Sequence, residues 1–342
     1  MNERKIGVAL LSYGMSGEVF HGPLLEAHPQ FEIKAVYHRS KKNVSHTHKT
    51  VYNLDDIFND LSIEMVIVNT PSPLHFQHAK EALLAGKHVV VEKPFTVKTS
   101  EADDLIRIAK QEKRVLTVFQ NRRWDAEFLT LKKVIDENRV GKIVEFEAHY
   151  DRFRNQVEHA SWKEKGEQGT GVLYNLGSHM LDQVLVLFGK PDFVDARIGV
   201  RRPGGVSDDF YDIRLEYPGF LAIVKSSYLV KLQGPRYILH GTEGSFVKSG
   251  LDPQEDDLKS KKIPGSAGWG MEPKHLFGRI DTTSFQGTIE TIPGNYLLFY
   301  DQLFQAIRNG GELPVKPEES RDVIRLIELC YESSKLKKAV RF

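Results

Sequence analysis

Several features that mark specialised proteins are missing from this 342-residue sequence. A single cysteine, Cys330, excludes an intrachain disulfide framework and a cysteine-rich metal site. The 47 lysines and arginines nearly match the 46 aspartates and glutamates, so a net charge of +1 gives no global attraction to nucleic acid or an anionic membrane. No run approaches the roughly 18 apolar residues of a membrane span, and the N-terminus has no signal-peptide layout. We therefore expect a cytoplasmic protein that binds neither nucleic acid nor membrane.

The first part of the chain alternates between two kinds of pattern. Up to about residue 121, nearly all-apolar runs of strand length alternate with helical periodicity, which is typical of βαβ units and a parallel sheet covered on both faces. We predict helices at LHFQHAKEALLAG, ended by Gly86, and at SEADDLIRIAKQEK, capped by Ser100 with Asp103. The predicted strands of this doubly wound Rossmann sheet are KIGVALL, FEIKAVY, EMVIVNT, HVVVEKP and VLTVFQ, with a weaker one near TVYNL.

The pattern changes after a helix predicted at WDAEFLTLKKVIDENRV. Longer alternating strands follow, and Pro218 with Gly219 separates two of them as in a hairpin. We predict two domains, 1–122 and 123–342, the second an α+β domain with a large, mostly antiparallel open sheet. Residues 250 to 292 are rich in glycine, proline and charge and are expected to form a long loop. The later predicted elements are strands IVEFEAHYDRFR, FVDARIGVR, DFYDIRLEY and FLAIVKSSYLV and helices NYLLFYDQLFQAI and SRDVIRLIELCYESSKLKK, the last with Cys330 buried.

The stretch LLSYGMSGEVFHG resembles the pyrophosphate-binding pattern G-x-G-x-x-G, but lacks its first glycine. Gly14 and Gly17 fill the other two positions, and Ser12 stands in the first. Because a strand precedes this stretch and a helix follows it, a nucleotide loop is favoured over a simple turn. The predicted cofactor-binding residues here are Ser12, Tyr13, Gly14, Met15, Ser16 and Gly17.

The end of the second predicted strand lacks the acid that usually binds the ribose hydroxyls of NAD. The sequence YHRSKK stands there instead, and cations suit the 2′-phosphate of NADP. Arg39, Ser40 and Lys42 are therefore predicted to bind NADP, with a solvated basic turn as the alternative. His46 and His48 have no third ligand in view and are interpreted as surface residues, so no metal site is expected.

Two further strand ends carry polar residues to the same edge of the predicted sheet, where ligands bind in such folds. The turn TPSPLH brings Thr70, Pro71 and His75, of which the histidine could face the cofactor or belong to the core. The strand VVVEKP delivers Glu92 and Lys93. A lysine directly after a buried strand can hydrogen-bond a substrate oxygen or assist proton transfer, the alternative being a structural salt bridge.

The stretch GTGVLYNLGSHMLDQVLVLFG reads as a glycine loop that enters a helix. On that helix Asn175, His179 and Asp182 follow the i, i+4, i+7 spacing that places three polar groups on one face. A single histidine on such a helix is more often a core residue than a catalyst, but three aligned polar groups favour a site. This helix is therefore a candidate part of the substrate site.

Taken together, these motifs resemble the Gfo/Idh/MocA oxidoreductases, and within them the NADP-dependent scyllo-inositol dehydrogenase branch. SYGMSGEVFH, TPSPLH, EKP, QNRRWD, DRFR and YNLGSHMLDQ occur in the family's order and span nearly the whole chain. The resemblance implies hydride transfer between a nicotinamide and a secondary alcohol carbon, with Lys93 and His179 as the catalytic pair. It also implies that Trp124, Arg152 and Asn175 bind substrate, and that the open sheet forms a homodimer or homotetramer.

One position departs from that family pattern, because Asn175 stands where an aspartate is usual. An amide can hydrogen-bond a substrate hydroxyl but cannot accept a proton, and Asp182, one turn on, is expected to compensate only in part. We predict an NADP-dependent oxidoreductase of a cyclitol, polyol or sugar. The alternatives are an NADP-binding sensor without catalysis, and a sugar-processing enzyme that uses the cofactor only transiently.

Overall fold

The computed structural model describes residues 4–39 and 47–342 and divides into two compact units. The first unit contains Met1–Asn121, Pro253–Trp269 and Asn295–Arg321. The second contains Arg122–Asp252, Gly270–Gly294 and Asp322–Phe342. The chain therefore enters each unit three times.

Fifteen strands and nine α-helices are found within the described ranges. The strands are β1 Ile6–Leu10, β2 Phe31–Tyr37, β3 Thr50–Val51, β4 Met65–Val68, β5 His88–Val91, β6 Leu116–Val118, β7 Ile143–His149, β8 Phe193–Gly199, β9 Phe210–Tyr217, β10 Phe220–Ser227, β11 Tyr237–Gly241, β12 Gly244–Lys248, β13 Gly278–Thr282, β14 Gln286–Ile289 and β15 Val340–Arg341. The α-helices are α1 Gly22–Ala27, α2 Asp55–Phe58, α3 His75–Leu84, α4 Thr99–Glu112, α5 Ala126–Asp136, α6 Ser178–Phe188, α7 Gln254–Lys259, α8 Leu297–Asn309 and α9 Pro317–Leu336. Two π-helical turns, Ser16–His21 and Leu173–Gly177, precede α1 and α6.

The first unit contains a six-stranded sheet whose strands all pair in parallel, in the order β3-β2-β1-β4-β5-β6. Every residue of β1, β4, β5 and β6 is buried except His88, which is half-buried. This is expected for strands of a parallel sheet that is covered on both faces. The predicted doubly wound sheet is confirmed, including its weak strand at β3.

One predicted helix cap is wrong. Helix α4 begins at Thr99, before the predicted cap residue Ser100. The backbone N–H groups of Val97 and Lys98 donate to Glu101 Oε2, both at 3.2 Å. The glutamate reaches back to the N–H groups of the two residues that precede the helix, so it takes the part that the sequence assigned to Asp103.

Helix α8 belongs to the first unit, although almost the whole second unit precedes it in sequence. Its aromatic rings pack on the parallel sheet: Phe299 lies edge-on to Phe119 at 4.9 Å between ring centroids, and Tyr300 lies edge-on to Phe31 at 5.6 Å. Both Phe299 and Tyr300 are fully buried. Such aromatic pairs add to the free energy gained by burying their area.

The second unit contains a nine-stranded sheet in the order β14-β13-β12-β11-β7-β10-β9-β8-β15. Only β7 and β10 pair in parallel, so the predicted mostly antiparallel sheet is confirmed. The predicted hairpin joins β9 to β10, and Gly219 takes a φ of +87° in its turn. Helix α9 buries Cys330 as expected, and burial raises the pKa of its thiol.

The prediction of a long loop from 250 to 292 is wrong. This segment forms α7 and then β13 and β14, which extend the larger sheet at one edge. Strand β14 has only exposed or half-buried positions, so it lacks the apolar run that marks a strand in sequence. Edge pairing supplies its backbone hydrogen bonds instead.

Two shorter corrections concern helices. Helix α5 ends at Asp136, four residues before the predicted end, and Asn138 and Gly141 both have positive φ. The predicted continuous helix through His179 is interrupted by the π-helical turn at Leu173–Gly177. Within the described ranges, no helix is long and apolar enough to cross a membrane.

Candidate active site

Three loops follow neighbouring strands at the carboxyl edge of the parallel sheet. They come after β1, β4 and β5, which are adjacent in the strand order. The chain winds from β1 outward to β2 on one side and to β4 on the other, so the topological switch point lies between β1 and β4. Ligands bind outside this point in open α/β sheets. All of the predicted cofactor residues that the structure describes, except Arg39, lie on these three loops or directly after them.

The loop after β1 has two glycines with different surroundings. A Cβ at Gly17 would lie 2.5 Å from the carbonyl oxygen of Ser12 and 3.1 Å from Asn69 Nδ2, so the backbone can close only around glycine. A Cβ at Gly14 would meet nothing nearer than Ser12 Oγ at 3.8 Å. The space above Gly14 is therefore open, as a loop that receives a phosphate requires.

The other residues of the loop after β1 either face solvent or order the loop. Met15 is 57% exposed, and Tyr13 lies edge-on to His48 at 6.0 Å between ring centroids. The N–H of Gly14 donates to Ser12 Oγ at 3.4 Å, so the serine in the first-glycine position orders its own loop. The π-helical turn begins directly at Ser16, whose backbone N–H belongs to a helix N-terminus.

Side chains tie the three loops together. Asn69 Nδ2, at the end of β4, donates to the carbonyl oxygen of Ser12 at 2.8 Å. The buried ring of His75 lies 2.8 Å from the carbonyl oxygens of Thr70 and Pro94, one at each ring nitrogen. His75 thus joins the turn after β4 to the turn after β5, and burial lowers the pKa of its imidazole.

The carboxylate of Glu92 is the centre of a hydrogen-bond network at this edge. Ser16 Oγ donates to Oε1 at 2.5 Å, and His21 Nε2 lies 3.1 Å from the same oxygen. The backbone N–H of Lys93 donates to Oε2 at 3.0 Å. Burial alone would raise the pKa of Glu92, but the hydrogen bond and charge of His21, with Ser16 and Lys93, lower it to about 2. Glu92 is therefore ionised at neutral pH.

The charge of Glu92 fixes the direction of the hydrogen bonds made to its carboxylate. An ionised carboxylate only accepts, so His21 Nε2 carries a proton and donates it. On the other side of the ring, His21 Nδ1 lies 2.6 Å from the hydroxyl of Tyr300. Burial and the charge of Glu92 raise the pKa of Tyr300 well above its usual range, so its hydroxyl keeps its proton at neutral pH. Tyr300, His21 and Glu92 thus form one hydrogen-bonded row.

Sequence reasoning missed three members of this edge: Asn69, His21 and Tyr300. Asn69 and His21 stand directly beside recognised motifs, in NTPSPLH and GEVFHG, and their position next to a strand end or a glycine loop was an available signal. Tyr300 is far away in sequence and lies on α8. No local pattern connects it to the glycine loop.

The predicted 2′-phosphate residues are described only in part. Arg39 is exposed and lies two residues beyond β2, the neighbour of β1. Ser40 and Lys42 lie outside the described residues, as does His46. His48 pairs with Glu26 at 2.8 Å, and among the residues that the structure covers no group of three metal-binding side chains occurs.

In the second unit, the π-helical turn and α6 present the other predicted residues. Asn175 is the one residue of positions 171–180 that is not buried, and His179, in the first turn of α6, is 5% exposed. Asn175 Nδ2 donates to the hydroxyl of Tyr228 at 3.2 Å, and Lys163 Nζ donates to Asn175 Oδ1 at 3.5 Å. Lys163 and Tyr228 were not predicted.

The other polar group of this helix has a separate partner. Asp182 accepts two hydrogen bonds from Arg123, at 2.8 Å from Nε and 2.7 Å from Nη2. Its charge is balanced in this bidentate ion pair. Asp182 was expected to compensate in part for the missing carboxylate at position 175, but it is paired with Arg123 instead. The predicted substrate residues Trp124 and Arg152 lie on the same unit, Trp124 buried and Arg152 half-buried with its guanidinium 5.0 Å from the ring centre of Tyr150.

Comparison with known proteins agrees with this architecture. The Gfo/Idh/MocA domain described as "Oxidoreductase family, NAD-binding Rossmann fold" matches residues 6–120. The domain described as "Oxidoreductase family, C-terminal alpha/beta domain" matches residues 132–342. The chain belongs to the Gfo/Idh/MocA oxidoreductase family. The resemblance seen in the sequence is therefore confirmed, and the protein is an oxidoreductase with an NAD(P)-binding Rossmann domain.

Similar proteins include characterised and uncharacterised members of this family. The scyllo-inositol 2-dehydrogenase (NADP(+)) IolW of Bacillus subtilis is 41% identical, with 98% of this chain and 95% of that protein covered. The uncharacterised oxidoreductase YdgJ of Escherichia coli is 40% identical over 96% of each chain. Among solved structures, the oxidoreductase yvaA of Bacillus subtilis superposes with a TM-score of 0.96 at 40% identity, covering 100% of this chain and 99% of that one.

The two loop glycines give a paired prediction. Gly17→Ala places a Cβ against the Ser12 carbonyl and should lower the free energy of unfolding by about 1–3 kcal/mol. Gly14→Ala has room in the free protein, so its stability should change by less than about 0.5 kcal/mol. It should still weaken dinucleotide binding by about tenfold or more, since the methyl group fills the space above the loop. Denaturant unfolding and cofactor titration of both variants test this, and unweakened binding by Gly14→Ala would contradict the assigned loop.

Glu92 gives a prediction about acid stability. Its pKa in the folded protein is about 2, below the ordinary value of 4.5, so its contribution to stability is complete above pH 4.5 and is lost as the pH falls towards 2. That contribution is about 3 kcal/mol. In Glu92→Gln this part of the pH dependence should be absent, so the unfolding free energies of variant and wild type should converge in acid. Urea unfolding at pH 7, 5, 4 and 3 measures it; parallel curves would show that folding does not lower the pKa of Glu92.

Proposed function

We propose that this protein is an NADP-dependent oxidoreductase that moves a hydride between the nicotinamide and a secondary alcohol carbon of a cyclitol, polyol or sugar. The observation that carries the proposal is the position of Lys93. It follows β5 at the sheet edge where dinucleotides bind, and its backbone is fixed by the ionised Glu92. The name of the relative IolW supports the substrate class.

The residues of the loop after β1 fit a dinucleotide. Gly14 leaves space for a pyrophosphate, and the helical turn that begins at Ser16 offers free backbone N–H groups at its N-terminus. Ser12, Tyr13, Met15 and Gly17 complete this loop, and Thr70, Pro71, His75 and Glu92 form or support the neighbouring turns. When bound, the nicotinamide cofactor supplies the hydride acceptor or donor.

Lys93 and His179 are proposed to handle the proton of the reacting hydroxyl. Oxidation of a secondary alcohol removes one hydride from carbon and one proton from oxygen, and the protein's own groups must take the proton. The Lys93 ammonium would hydrogen-bond the reacting oxygen, and the imidazole of His179 would accept or return the proton. Asn175, Trp124 and Arg152 are proposed to bind the remaining hydroxyls of the substrate.

The choice of NADP over NAD is proposed from the turn after β2. No carboxylate stands at Tyr37, His38 or Arg39, so nothing there repels a 2′-phosphate, and the exposed guanidinium of Arg39 can pair with it. Ser40 and Lys42, next in sequence, would add a hydroxyl and a second cation. The name of IolW, which specifies NADP(+), supports the same choice.

Assembly through the larger sheet is also proposed. Strand β9 alternates buried Tyr211, Ile213 and Leu215 with more exposed Asp212, Arg214 and Glu216. One face of the sheet is therefore apolar core and the other is a broad polar surface. We propose that two copies pair through this polar face as a homodimer, or as the half of a homotetramer.

The decisive experiment is a screen of polyols, cyclitols and aldoses with NADP, followed by absorbance of the reduced nicotinamide. Net NADPH from a cyclitol or sugar is expected. A sensor would bind NADP and turn nothing over, and an enzyme that uses the cofactor transiently would make product without net reduction. Either of those results would replace the proposed reaction.

Lys93→Ala should abolish most turnover while cofactor binding is kept, because the ammonium acts on the reacting oxygen. General acid–base groups contribute about 10² to 10⁴ in rate, so a loss of at least that order is expected in kcat. Lys110→Ala, an exposed lysine on α4 that pairs with Glu318, is the matched control and should retain wild-type activity. A Lys93→Ala rate above about a tenth of wild type would mean that the lysine is structural.

Arg39→Ala should weaken NADP binding about ten- to a hundredfold and leave NAD binding nearly unchanged, since one charge-assisted hydrogen bond contributes about 1.5–3 kcal/mol. Titration of both cofactors against wild type and variant measures this. The control is Arg107→Ala on α4, where the arginine pairs with Asp104. Equal affinities of the wild type for NAD and NADP would show that the basic turn is only a solvated surface.

A further inference from the structure

The hydrogen bonds of Asn175 determine whether the neighbouring Tyr228 hydroxyl donates or accepts in their contact. A lysine ammonium only donates hydrogen bonds, so the atom of Asn175 that faces Lys163 at 3.5 Å is the amide oxygen. The amide NH₂ group then faces Tyr228, at 3.2 Å from its hydroxyl. Because an NH₂ group only donates, the oxygen of Tyr228 accepts in this contact. The hydroxyl proton of Tyr228 must point elsewhere.

Among the described residues, the Tyr228 hydroxyl makes no hydrogen bond other than the one with Asn175. Two guanidinium groups lie beside its ring, that of Arg202 at 4.9 Å from the ring centre and that of Arg154 at 5.8 Å, and these only donate. The carboxylates near Arg202 are engaged by it: Glu164 at 2.8 Å and Asp209 at 2.9 Å. Burial raises the pKa of Tyr228, so the phenol keeps its proton at neutral pH.

Asn175 is the exposed member of this pair. Residues 171–174 and 176–180 around it are all buried, whereas Asn175 itself is partly exposed, and Tyr228 is 6% exposed. A small molecule that reaches this helix from solvent therefore meets the amide that holds the phenol. We propose that Asn175 makes Tyr228 a hydrogen-bond donor to the substrate, so that the site requires only an accepting oxygen at this position and takes an ether, carbonyl or carboxylate oxygen there as well as a hydroxyl.

An aspartate at position 175 would reverse this preference. A carboxylate accepts from Lys163 and from the phenol alike, so the proton of Tyr228 would turn towards residue 175. Only the lone pairs of the phenol would then face the substrate, and they require a donor such as a hydroxyl. Asn175 is therefore a specificity-determining residue that acts partly through Tyr228. This inference rests on the proposed function for its substrate class.

The first test compares substrate analogues. Once a polyol substrate is found, each ring hydroxyl is replaced in turn by a methoxy group, whose oxygen accepts a hydrogen bond but cannot donate one. In wild type, one position should tolerate the replacement, with little change in kcat/KM. In Asn175→Asp the same analogue should lose about ten- to a hundredfold relative to the parent polyol, the cost of an unmet polar group. Tyr228→Phe should remove the difference between the two proteins at that position.

The matched control is Tyr217→Phe, which removes a phenol hydroxyl that donates to the Gly189 carbonyl oxygen at 2.9 Å and leaves the Asn175 contacts intact. It should keep the wild-type analogue profile. If wild type and Asn175→Asp show the same profile at every position, Asn175 does not set the preference and the proposal is overturned.

A second test needs no turnover. In labelled protein, nuclear Overhauser effects should connect the Asn175 side-chain NH₂ protons to the ring protons of Tyr228, and these signals should vanish in Tyr228→Leu. Absence of that connection in the wild type overturns the hydrogen-bond direction, and with it the inference. Failure of the proposed function would appear differently, as a wild type that reduces or oxidises no polyol, ketone or sugar with NADP(H).

Discussion

The ionised carboxylate of Glu92 is the interaction on which the rest of the first unit's ligand edge depends. A charge that lies mostly out of water must be met by donors, because its desolvation cost exceeds most other single terms in folding. Ser16, His21 and the N–H of Lys93 meet it, and each belongs to a different part of the predicted site or its support. The carboxylate thus fixes the start of the helical turn after the glycine loop and the backbone of the proposed catalytic lysine at the same time. The two are therefore connected through hydrogen bonds to one carboxylate.

In the second unit, a π-helical turn positions the polar side chains of the predicted site. A π-helical turn adds one residue to the helical repeat, so side chains before and after it do not keep the α-helical register. Asn175 sits inside this turn and Asp182 sits after it, and their partners differ accordingly: Tyr228 and Lys163 for the amide, Arg123 for the carboxylate. Such turns are frequent at functional sites, where they direct a side chain that a regular helix would place elsewhere.

Most of the fold could be predicted from the sequence because its signals are local. The strands of the parallel sheet are runs rich in Val, Ile and Leu. Three of them are followed by turns whose residue types indicate a ligand site: Gly14 and Gly17, Thr70 and Pro71, and Glu92 and Lys93. The failures concern features without a strong apolar pattern. Strand β14 is held by edge pairing and not by burial. Helix α4 is capped by Glu101, although Asp103 was an equally plausible local choice, and the π-helical turn has no periodic signature. None of these features shows the hydrophobic periodicity on which the strand and helix predictions were based.

The network around Glu92 was beyond prediction because its outermost member, Tyr300, comes from α8. That position has a consequence for how the protein is made. Tyr300 and Phe299, which pack on the parallel sheet, come far after the glycine loop in the sequence. Most of the chain is therefore synthesised before these two residues are added. The first 121 residues contain Ser16, His21, Glu92 and Lys93, so this part of the network can form during synthesis, but His21 Nδ1 gains the Tyr300 hydroxyl only when α8 has emerged. The dinucleotide edge therefore receives its last buried contacts late in synthesis.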